Sequence, residues 1–303
     1  MPLIQDTASA EPVGGSFEMV KRRFLIHGAA QAVVLLAGGL FLSMAPALHA
    51  ADAPSKTILA IFAHPDDDAT VGPLLAHYAK QGARVHLAIV TSGQQGVTEH
   101  ARIPAGRELA VVREAEARAA CKAYGIEEPD LLGEQDGTLG TMKRHDEIVT
   151  RLRAIIEKTQ PSVIITFGPD GVTGHPDHRA VGNMVSEIFQ GLDAAHAAGP
   201  VPSKLYYVAV PASRLANAPA NLPVMASGSV IDAYITTVID AQDGLEAAAR
   251  AEECYKSQYT PEGIKFINGI MANVLKGNVS LRLAFVRTGH VNAQEKDIFQ
   301  SLP

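Results

Sequence analysis

The sequence contains few cysteines and no clustered cysteine motif. Only Cys121 and Cys254 occur among 303 residues, and the absence of a CxxC pair excludes a zinc ribbon. Each cysteine lies in an alanine-rich helical pattern, where a buried free thiol is commoner than a disulfide. A bridge between the two is the alternative, because disulfides form in the oxidising compartments that exported proteins reach.

The sequence also lacks a basic cluster beyond residue 30 and carries a formal net charge of −6. Nucleic-acid recognition needs clustered Lys and Arg, because contacts with the phosphate backbone supply most of the affinity. These features argue against a nucleic-acid partner. The composition, 47% hydrophobic and 19% charged, is that of a globular protein with material for one large core.

The first 50 residues differ from the rest of the chain. The stretch VKRRFLIHG precedes a Gly- and Ala-rich apolar run that closes on small residues, which is the order of an export signal. Lys21, Arg22 and Arg23 resemble the twin-arginine pattern, so we expect a periplasmic or secreted protein. The alternative is a membrane anchor at residues 28–48, which are just numerous enough to span a bilayer. Any membrane contact would then be made through this segment.

From residue 56 onward, short apolar runs alternate with amphipathic stretches. This alternation predicts parallel strands joined by right-handed crossovers, with helices on both faces of the sheet. No internal repeat or linker interrupts it, so residues 56–303 are expected to form a single Rossmann-like α/β domain with a mainly parallel sheet. The predicted strands are 56–63, 84–93, 130–137, 161–170, 203–210 and 232–240, and the predicted helices are 70–83, 107–126, 145–160, 177–199 and 241–258.

Two acidic segments that contain His-Pro-Asp follow predicted strands. AHPDDD, at residues 63–68, continues the first strand, and GHPDH, at residues 174–178, lies a short loop beyond the fourth. Ligands of such folds bind outside the carboxyl ends of the strands, so we expect the two segments to meet at one rim. In both segments the proline suits the first turn of a helix, whose free N–H groups stabilise neighbouring carboxylates.

The spacing within each segment suits a metal ion. His64 and Asp67 are three residues apart, as are His175 and His178, so each pair can present its donors on one side of a helical turn. Two histidines and one carboxylate form a usual catalytic zinc set with an open position for water. Asp67 is expected to bind the metal, and Asp66 to take the proton of the activated water. A dication would turn the repulsion between adjacent aspartates into attraction.

Asp68 is expected to lie slightly farther along the turn and to stabilise the helix end. A simple cap is one alternative for the whole acidic segment, because aspartate is common at helix starts. Two histidines and a carboxylate also bind iron in non-haem oxygenases, but these usually have a double-stranded β-helix, which the alternating pattern does not predict.

A closed metal site is a further alternative. His64, Asp67, His175 and His178 could all ligate one ion, which would make the protein an inactive, metal-containing sugar-binding protein. Anomalous scattering at the metal, showing three or four protein ligands, would separate the open site from the closed one.

AHPDDD and GPDGVTGHPDH together resemble the signature of the LmbE-like, or PIG-L, zinc de-N-acetylases. These enzymes remove acetyl groups from N-acetylglucosamine-type sugars, and the likeness spans residues 56–190. The resemblance implies an LmbE-like domain over residues 56–303, one Zn²⁺ ion as cofactor, and an N-acetylated sugar or glycoconjugate as substrate. It also implies amide hydrolysis by metal-activated water.

The resemblance implies a role for each matching residue. His64, Asp67 and His178 would be the zinc ligands, and Asp66 the general base. His175 would stabilise the developing oxyanion or protonate the leaving amine.

Four further residues match the family. Asp177 would steady a metal-ligating histidine, as such imidazoles generally require. Arg113 of REAE would reach the substrate and be held by Glu116, whereas an exposed helical ion pair is the alternative for these two residues. Asp136 of EQDG would accept hydrogen bonds from sugar hydroxyls.

Four departures from the family pattern leave the identity of the substrate open. Asp68 stands where glutamate is usual, and Gln94 where an acidic residue is frequent. Thr173 replaces an aromatic residue, and YKSQ at residues 255–258 stands where the family often has His-x-Ser-Gln.

Overall fold

The computed structural model describes residues 56–141, 144–192, 199–216, 229–287 and 294–302. The chain divides into a unit of residues 1–50 and a unit of residues 51–303, and every described residue belongs to the second. The export signal or anchor expected at residues 1–50 lies outside the described residues and stays a prediction. Within the described ranges, no helix is both long and apolar enough to cross a membrane.

Among the described residues, nine strands form a large central sheet and a small two-stranded one. In chain order the strands are β1 (Thr57–Phe62), β2 (Arg84–Thr91), β3 (Asp130–Glu134), β4 (Val163–Thr166), β5 (Lys204–Val208), β6 (Val210–Pro211), β7 (Ser229–Val230), β8 (Thr237–Asp240) and β9 (Asn278–Val286).

The central sheet confirms the mainly parallel α/β fold that the alternating pattern predicted. Its seven strands have the order β3-β2-β1-β4-β5-β9-β8, and β6 pairs with β7 separately. Strands β1 to β5 run parallel to one another, whereas β9 runs antiparallel to both β5 and β8. The chain reverses its direction of winding between β1 and β4, which creates a crevice above their carboxyl ends.

Two helical layers cover the sheet. Helices α1, α2 and α6 contact one another, and α3 and α4 form a separate pair, so right-handed crossovers place the two groups on opposite faces. The helices are α1 (Gly72–Lys80), α2 (Arg107–Tyr124), α3 (His145–Thr159), α4 (Pro176–Gly191), α5 (Ala212–Leu215), α6 (Leu245–Glu252) and α7 (Pro261–Gly269).

The two central strands are buried along their whole length. All six residues of β1 and all four of β4 are buried. Continuous apolar runs of this kind are expected where helices cover both faces of a parallel sheet. Burial of each large aliphatic side chain contributes about 1.5–3 kcal/mol, so the ends of these strands are firmly placed. The two His-Pro-Asp segments therefore start from rigid positions.

Several element boundaries differ from the predictions. Helix α4 ends at Gly191 because Leu192 takes an extended conformation, well before the predicted end at residue 199. The predicted strand 232–240 holds one short 3₁₀ turn before β8, and the predicted helix 241–258 contracts to α6. Helix α7 and strand β9 were not predicted. Because β9 is antiparallel at one side of the sheet, it lacks the continuous apolar run of β1.

Both cysteines are free, in agreement with the thiol interpretation. Cys121 in α2 is buried, and Cys254, just beyond α6, is partly exposed.

Candidate active site

The three predicted ligand side chains converge above the junction of β1 and β4. His64 Nδ1 lies 3.1 Å from His178 Nε2 and 3.5 Å from Asp67 Oδ2, and His178 Nε2 lies 3.2 Å from Asp67 Oδ1. A tetrahedral zinc ion with bonds of about 2.0–2.1 Å separates neighbouring ligand atoms by about 3.3 Å. The three donors therefore already have the mutual spacing that such an ion requires.

Backbone groups orient the Asp67 carboxylate. Its Oδ2 accepts hydrogen bonds from the N–H groups of His64 at 2.7 Å and Ala63 at 3.1 Å. Asp67 starts a 3₁₀ turn that ends at Thr70, so Pro65 precedes this turn rather than opening a helix as predicted. Burial opposes ionisation, but His178 and hydrogen bonds from both imidazoles hold the pKa of Asp67 well below its usual range. Asp67 is thus a fixed anion.

The loop before α4 orients His178. Its Nδ1 faces the carbonyl oxygen of Gly171 at 2.9 Å and the hydroxyl of Thr173 at 3.1 Å. The imidazole stacks on Phe167, with ring centroids 4.2 Å apart and planes 4° apart. A proton held on Nδ1 by the carbonyl leaves the lone pair of Nε2 directed at Asp67 and His64, which is the tautomer that a metal ligand needs.

Two further carboxylates lie behind His64. Its buried Nε2 is 3.1 Å from Asp136 Oδ1 and 3.5 Å from Asp177 Oδ2, but it forms a well-aligned hydrogen bond with neither. Burial alone would lower the pKa of His64, but Asp136, Asp177 and Asp67 together raise it to about 12. The site thus favours positive charge, which a divalent cation bound in place of the His64 proton would supply.

Asp177 and Asp136 connect α4 with the loop after β3. Asp177 is fully buried and accepts the backbone N–H groups of Gly137 at 2.7 Å and Leu139 at 2.9 Å. Asp136 is 8% exposed and also accepts the N–H of Gln95 at 3.1 Å. Sequence reasoning assigned Asp136 to sugar hydroxyls, but the structure places it against the ring of His64. The predicted roles of both aspartates stay predictions.

Asp66 points away from Asp67 and is held by two donors. Its Oδ1 accepts from Arg113 Nη2 at 2.9 Å, and its Oδ2 from the Tyr259 hydroxyl at 3.1 Å. The side chain is 16% exposed, so water can reach it. Burial raises the pKa of Asp66 to about 6 although Arg113 acts in the opposite direction. A carboxylate with this pKa accepts a proton readily near neutral pH.

Arg113 and Glu116 do not form the exposed ion pair considered for them. Arg113 is 3% exposed and donates to the carbonyl oxygens of Gly93, at 2.8 Å, and Pro65. Glu116 instead accepts from the backbone N–H and hydroxyl of Ser257, at 2.7 and 2.6 Å. Arg113 is thus held by carbonyls rather than by Glu116, and its guanidinium is directed at Asp66.

His175 lies at the open side of the cluster. Its Nδ1 accepts the Asp177 N–H at 3.2 Å and so caps α4, with Pro176 in the first turn as predicted. The ring meets His64 edge-on at 4.8 Å and lies 5.1 Å from His178. Burial and these two imidazoles lower the pKa of His175. The partly exposed ring is placed where an incoming substrate would meet it.

Asp68 lies in the 3₁₀ turn directly after Asp67, as predicted, but it does not stabilise the helix end. This residue is 1% exposed and accepts hydrogen bonds from the hydroxyls of Tyr124, at 2.9 Å, and Tyr255, at 2.6 Å, rather than supporting a helix end. Its carboxylate thus joins the AHPDDD segment to α2 and to the chain beyond α6. The three consecutive aspartates point to different partners, which reduces their mutual repulsion.

A second carboxyl group is buried near Asp68. Glu252 is 1% exposed, and neither of its oxygens has a hydrogen-bond partner among the described residues. Burial, together with the charge of Asp68, raises the pKa of Glu252 from its usual 4.5 to about 8. The folded protein therefore holds a proton on Glu252 that the unfolded chain releases above about pH 4.5.

This proton predicts a pH-dependent effect of Glu252→Gln. The contribution of Glu252 is fully present below pH 4.5 and is lost as the pH rises through 8. Glutamine stays neutral, so the variant should gain stability relative to the wild type between about pH 5 and 9, by at most about 1.4 kcal/mol per pH unit within the titration window. Urea unfolding of the variant and the wild type at about pH 5 and about pH 9 measures this difference in the free energy of unfolding. Glu253→Gln, at an exposed neighbour, should show little change; an equal effect of Glu252→Gln at both pH values would contradict the prediction.

Sequence reasoning missed the tyrosines that hold the acidic segment. Tyr124, Tyr255 and Tyr259 lie 56, 187 and 193 residues from the aspartates that they contact. One signal was present in the sequence: YKSQ, at residues 255–258, departs from the family pattern and so drew attention to this segment. Nothing local in the sequence shows that the segment contacts AHPDDD.

Two imidazoles and a carboxylate that converge, with a second carboxylate beside them, define a class of protein. Such sites at the carboxyl edge of a parallel sheet are typical of hydrolases that activate water on a metal ion. The spacing of the donor atoms fits a divalent cation, and so does the preference for positive charge that the carboxylates create around His64. His64, His175 and His178 also form a group that could hold an ion, as do His64, Asp136 and Asp177.

Comparison with known proteins identifies the family. The profile of the PIG-L family, described as GlcNAc-PI de-N-acetylase, matches residues 59–189, which include both His-Pro-Asp segments. A deacetylase of 1D-myo-inositol 2-acetamido-2-deoxy-alpha-D-glucopyranoside from Actinosynnema mirum is 31% identical over 292 residues, covering 82% of this chain and 98% of the relative. The chain belongs to the PIG-L family. It is an N-deacetylase, a hydrolase of an amide C–N bond.

Solved structures share the fold. An N,N'-diacetylchitobiose deacetylase from Pyrococcus horikoshii superposes with a TM-score of 0.58 at 19% identity, covering 76% of this chain and 84% of that one. GalB, a 4-carboxy-2-hydroxymuconate hydratase from Pseudomonas putida, also has a TM-score of 0.58 at 17% identity, covering 78% of this chain and 98% of that one. Because a hydratase has this fold too, the site residues and not the fold have to carry the argument for substrate and mechanism.

Proposed function

We propose that the protein removes the acetyl group from an N-acetylglucosamine-type sugar conjugate, with one zinc ion held by His64, Asp67 and His178. The observation that carries this proposal is the 3.1–3.5 Å spacing between donor atoms of these three side chains. The names of the relatives support the substrate class, since they act on an N-acetylated glucosaminyl inositol.

The side chains around the three proposed zinc ligands supply the proton transfers of amide hydrolysis. A bound zinc ion would polarise the acetyl carbonyl and lower the pKa of water to about 7. Asp66 takes a proton from the attacking water as the new C–O bond forms. His175, at the open side, stabilises the oxyanion or protonates the leaving nitrogen as the C–N bond breaks. The products are acetate and a free amine.

The carboxylates behind His64 complete this proposal. A hydrogen bond from His64 Nε2 to Asp136 or Asp177 would fix the ring with Nδ1 toward the metal, and outer partners of this kind are typical of ligating histidines. Asp136 is close enough to the rim that a substrate hydroxyl could share it, as the family resemblance implies. Arg113 would act on the substrate side through Asp66, because its side chain is buried and both terminal nitrogens already donate to Asp66 and to backbone carbonyl oxygens.

Acetate release tests the proposal. Purified protein reconstituted with zinc is incubated with an N-acetylglucosaminyl inositol, N,N'-diacetylchitobiose and free N-acetylglucosamine, and acetate and amine are measured together. We expect release in equal amounts from at least one of these sugars. Zinc-loaded protein that releases acetate from none of them would contradict the proposed substrate class, and anomalous scattering showing His175 as a fourth ligand would contradict the open site.

A further inference from the structure

The segment of residues 255–259 is hydrogen-bonded to AHPDDD, residues 63–68, here called the acidic loop. It is also anchored elsewhere along its length. Tyr255 donates to Asp68 at 2.6 Å, Ser257 binds Glu116 through two hydrogen bonds, and Gln258 donates to the carbonyl oxygen of Gly96 at 3.0 Å. These contacts fix the segment to the acidic loop, to α2 and to the loop after β2. The side chain that follows, Tyr259, therefore starts from a rigid backbone.

Asp66 needs such support because its backbone is strained. Its φ of 104° and ψ of −15° fall in a region that residues other than glycine rarely occupy. Backbone of this kind costs of order 1–3 kcal/mol and persists only where the surrounding contacts hold it. The direction of the Asp66 side chain is thus set by its partners rather than by local preference.

A single partner would not fix the carboxylate. Arg113 Nη2 binds Oδ1 of Asp66 and also the carbonyl oxygen of Pro65, and Nη1 donates to the carbonyl oxygen of Gly93. A carboxylate held at one oxygen can still rotate about its terminal bond, since this torsion is soft. The Tyr259 hydroxyl binds the other oxygen, Oδ2, from a different direction. Two points of attachment stop the rotation.

The Tyr259 hydroxyl is suited to this task. The charge of Asp66 and burial hold the pKa of Tyr259 well above its usual range, so the phenol keeps its proton and donates it. An ionised carboxylate oxygen has two lone pairs, so Oδ2 can accept from Tyr259 and still face a water molecule.

We propose that Tyr259 is a positioning residue that aligns the Asp66 carboxylate for its proton transfer. The effect on turnover rests on the proposed function, in which Asp66 is the general base. Tyr259 acts through Asp66 and makes no contact with the substrate, so its removal changes the rate of the chemical step rather than substrate binding.

Kinetics of Tyr259→Phe test this proposal on the sugar that the wild type deacetylates fastest. We expect kcat to fall about tenfold, the loss of one hydrogen bond to a charged group, while KM stays within about twofold and the zinc content is unchanged. In an Asp66→Asn background the same change should lower kcat little further, because the residue through which it acts is gone. An unchanged kcat, a raised KM alone, or fully additive losses would overturn the proposal.

Tyr255→Phe is the matched control, since it also removes a hydroxyl that donates to an aspartate from the same segment. It should lower the unfolding midpoint, because Asp68 is buried, with kcat of the folded, zinc-loaded enzyme within about threefold of the wild type. A loss of kcat equal to that of Tyr259→Phe would show that the segment acts only by general support.

Crystal structures of the variants provide a readout that does not depend on activity. In Tyr259→Phe we expect the Asp66 carboxylate to rotate about its bond to Arg113 or to occupy two orientations, whereas Tyr255→Phe should leave it in place. An unchanged, single orientation in Tyr259→Phe overturns the positioning role. If the wild type deacetylates none of the tested sugars, the proposed substrate class fails while this comparison still decides the role of Tyr259.

Discussion

Replacement of Asp67 by asparagine is expected to remove the metal ion and to lower kcat/KM about a thousandfold or more. Asp67 is the single anion among the three convergent donors, and a neutral amide in its place leaves no ligand charge to balance a dication. Loss of several kcal/mol of transition-state stabilisation corresponds to a rate loss of this size. Metal content after dialysis, measured together with acetate release, tests both parts of the prediction.

The asparagine variant should still fold. Its side-chain oxygen can accept the same N–H groups of Ala63 and His64 that Asp67 Oδ2 accepts now. Asp146→Asn, on the exposed first turn of α3, removes the same charge away from the site and serves as the control. An Asp67→Asn protein that keeps one metal ion per chain at wild-type affinity would show that the ligand set is different.

Asp66→Asn is expected to keep the metal and to lose turnover. General-base assistance is worth about 10²–10⁴ in rate, so kcat should fall at least a hundredfold while the metal content and KM change little. Asparagine is suited to the test, because it tolerates positive φ better than most residues and its oxygen can still accept from Arg113. The backbone of the loop should therefore be preserved.

Comparison of the two asparagine variants separates metal binding from proton transfer. The Asp67 variant should lack both metal and activity, whereas the Asp66 variant should retain a full complement of metal. Wild-type turnover by Asp66→Asn would remove the role of Asp66 as base and leave the metal site unaffected. The same Asp146→Asn protein controls for the change in net charge.

The α/β class and the two acidic segments could be predicted from the sequence because their signals are local. The buried run of β1 and the amphipathic pattern of α2 each lie within a short window, and the periodicity of side-chain burial reports the element directly. The residue types of His64, Asp67 and His178 limit the chemistry in the same way, since few other sites combine imidazoles and carboxylates at such spacing.

The structure decided which side chains face one another. Because β1 and β4 pair directly, two segments separated by 114 residues at the His64–His178 contact reach the same crevice. Strand order depends on the packing of whole layers, so no local window of sequence contains it. The position of Asp136 also depends on the packing of whole layers. It lies in the loop after β3, and that loop places it beside Nε2 of His64.

The difference between what the sequence predicts and what the fold decides is clearest in the run of three aspartates. Its composition indicated a cation, but the individual directions of Asp66, Asp67 and Asp68 follow from partners on α2, on α4 and beyond α6. Hydrogen bonds of 2.6–3.2 Å depend on the three-dimensional approach of distant backbone segments. The sequence therefore specifies which charges are available, and only the folded chain directs one to the two imidazoles, one to an arginine and a tyrosine, and one to two further tyrosines.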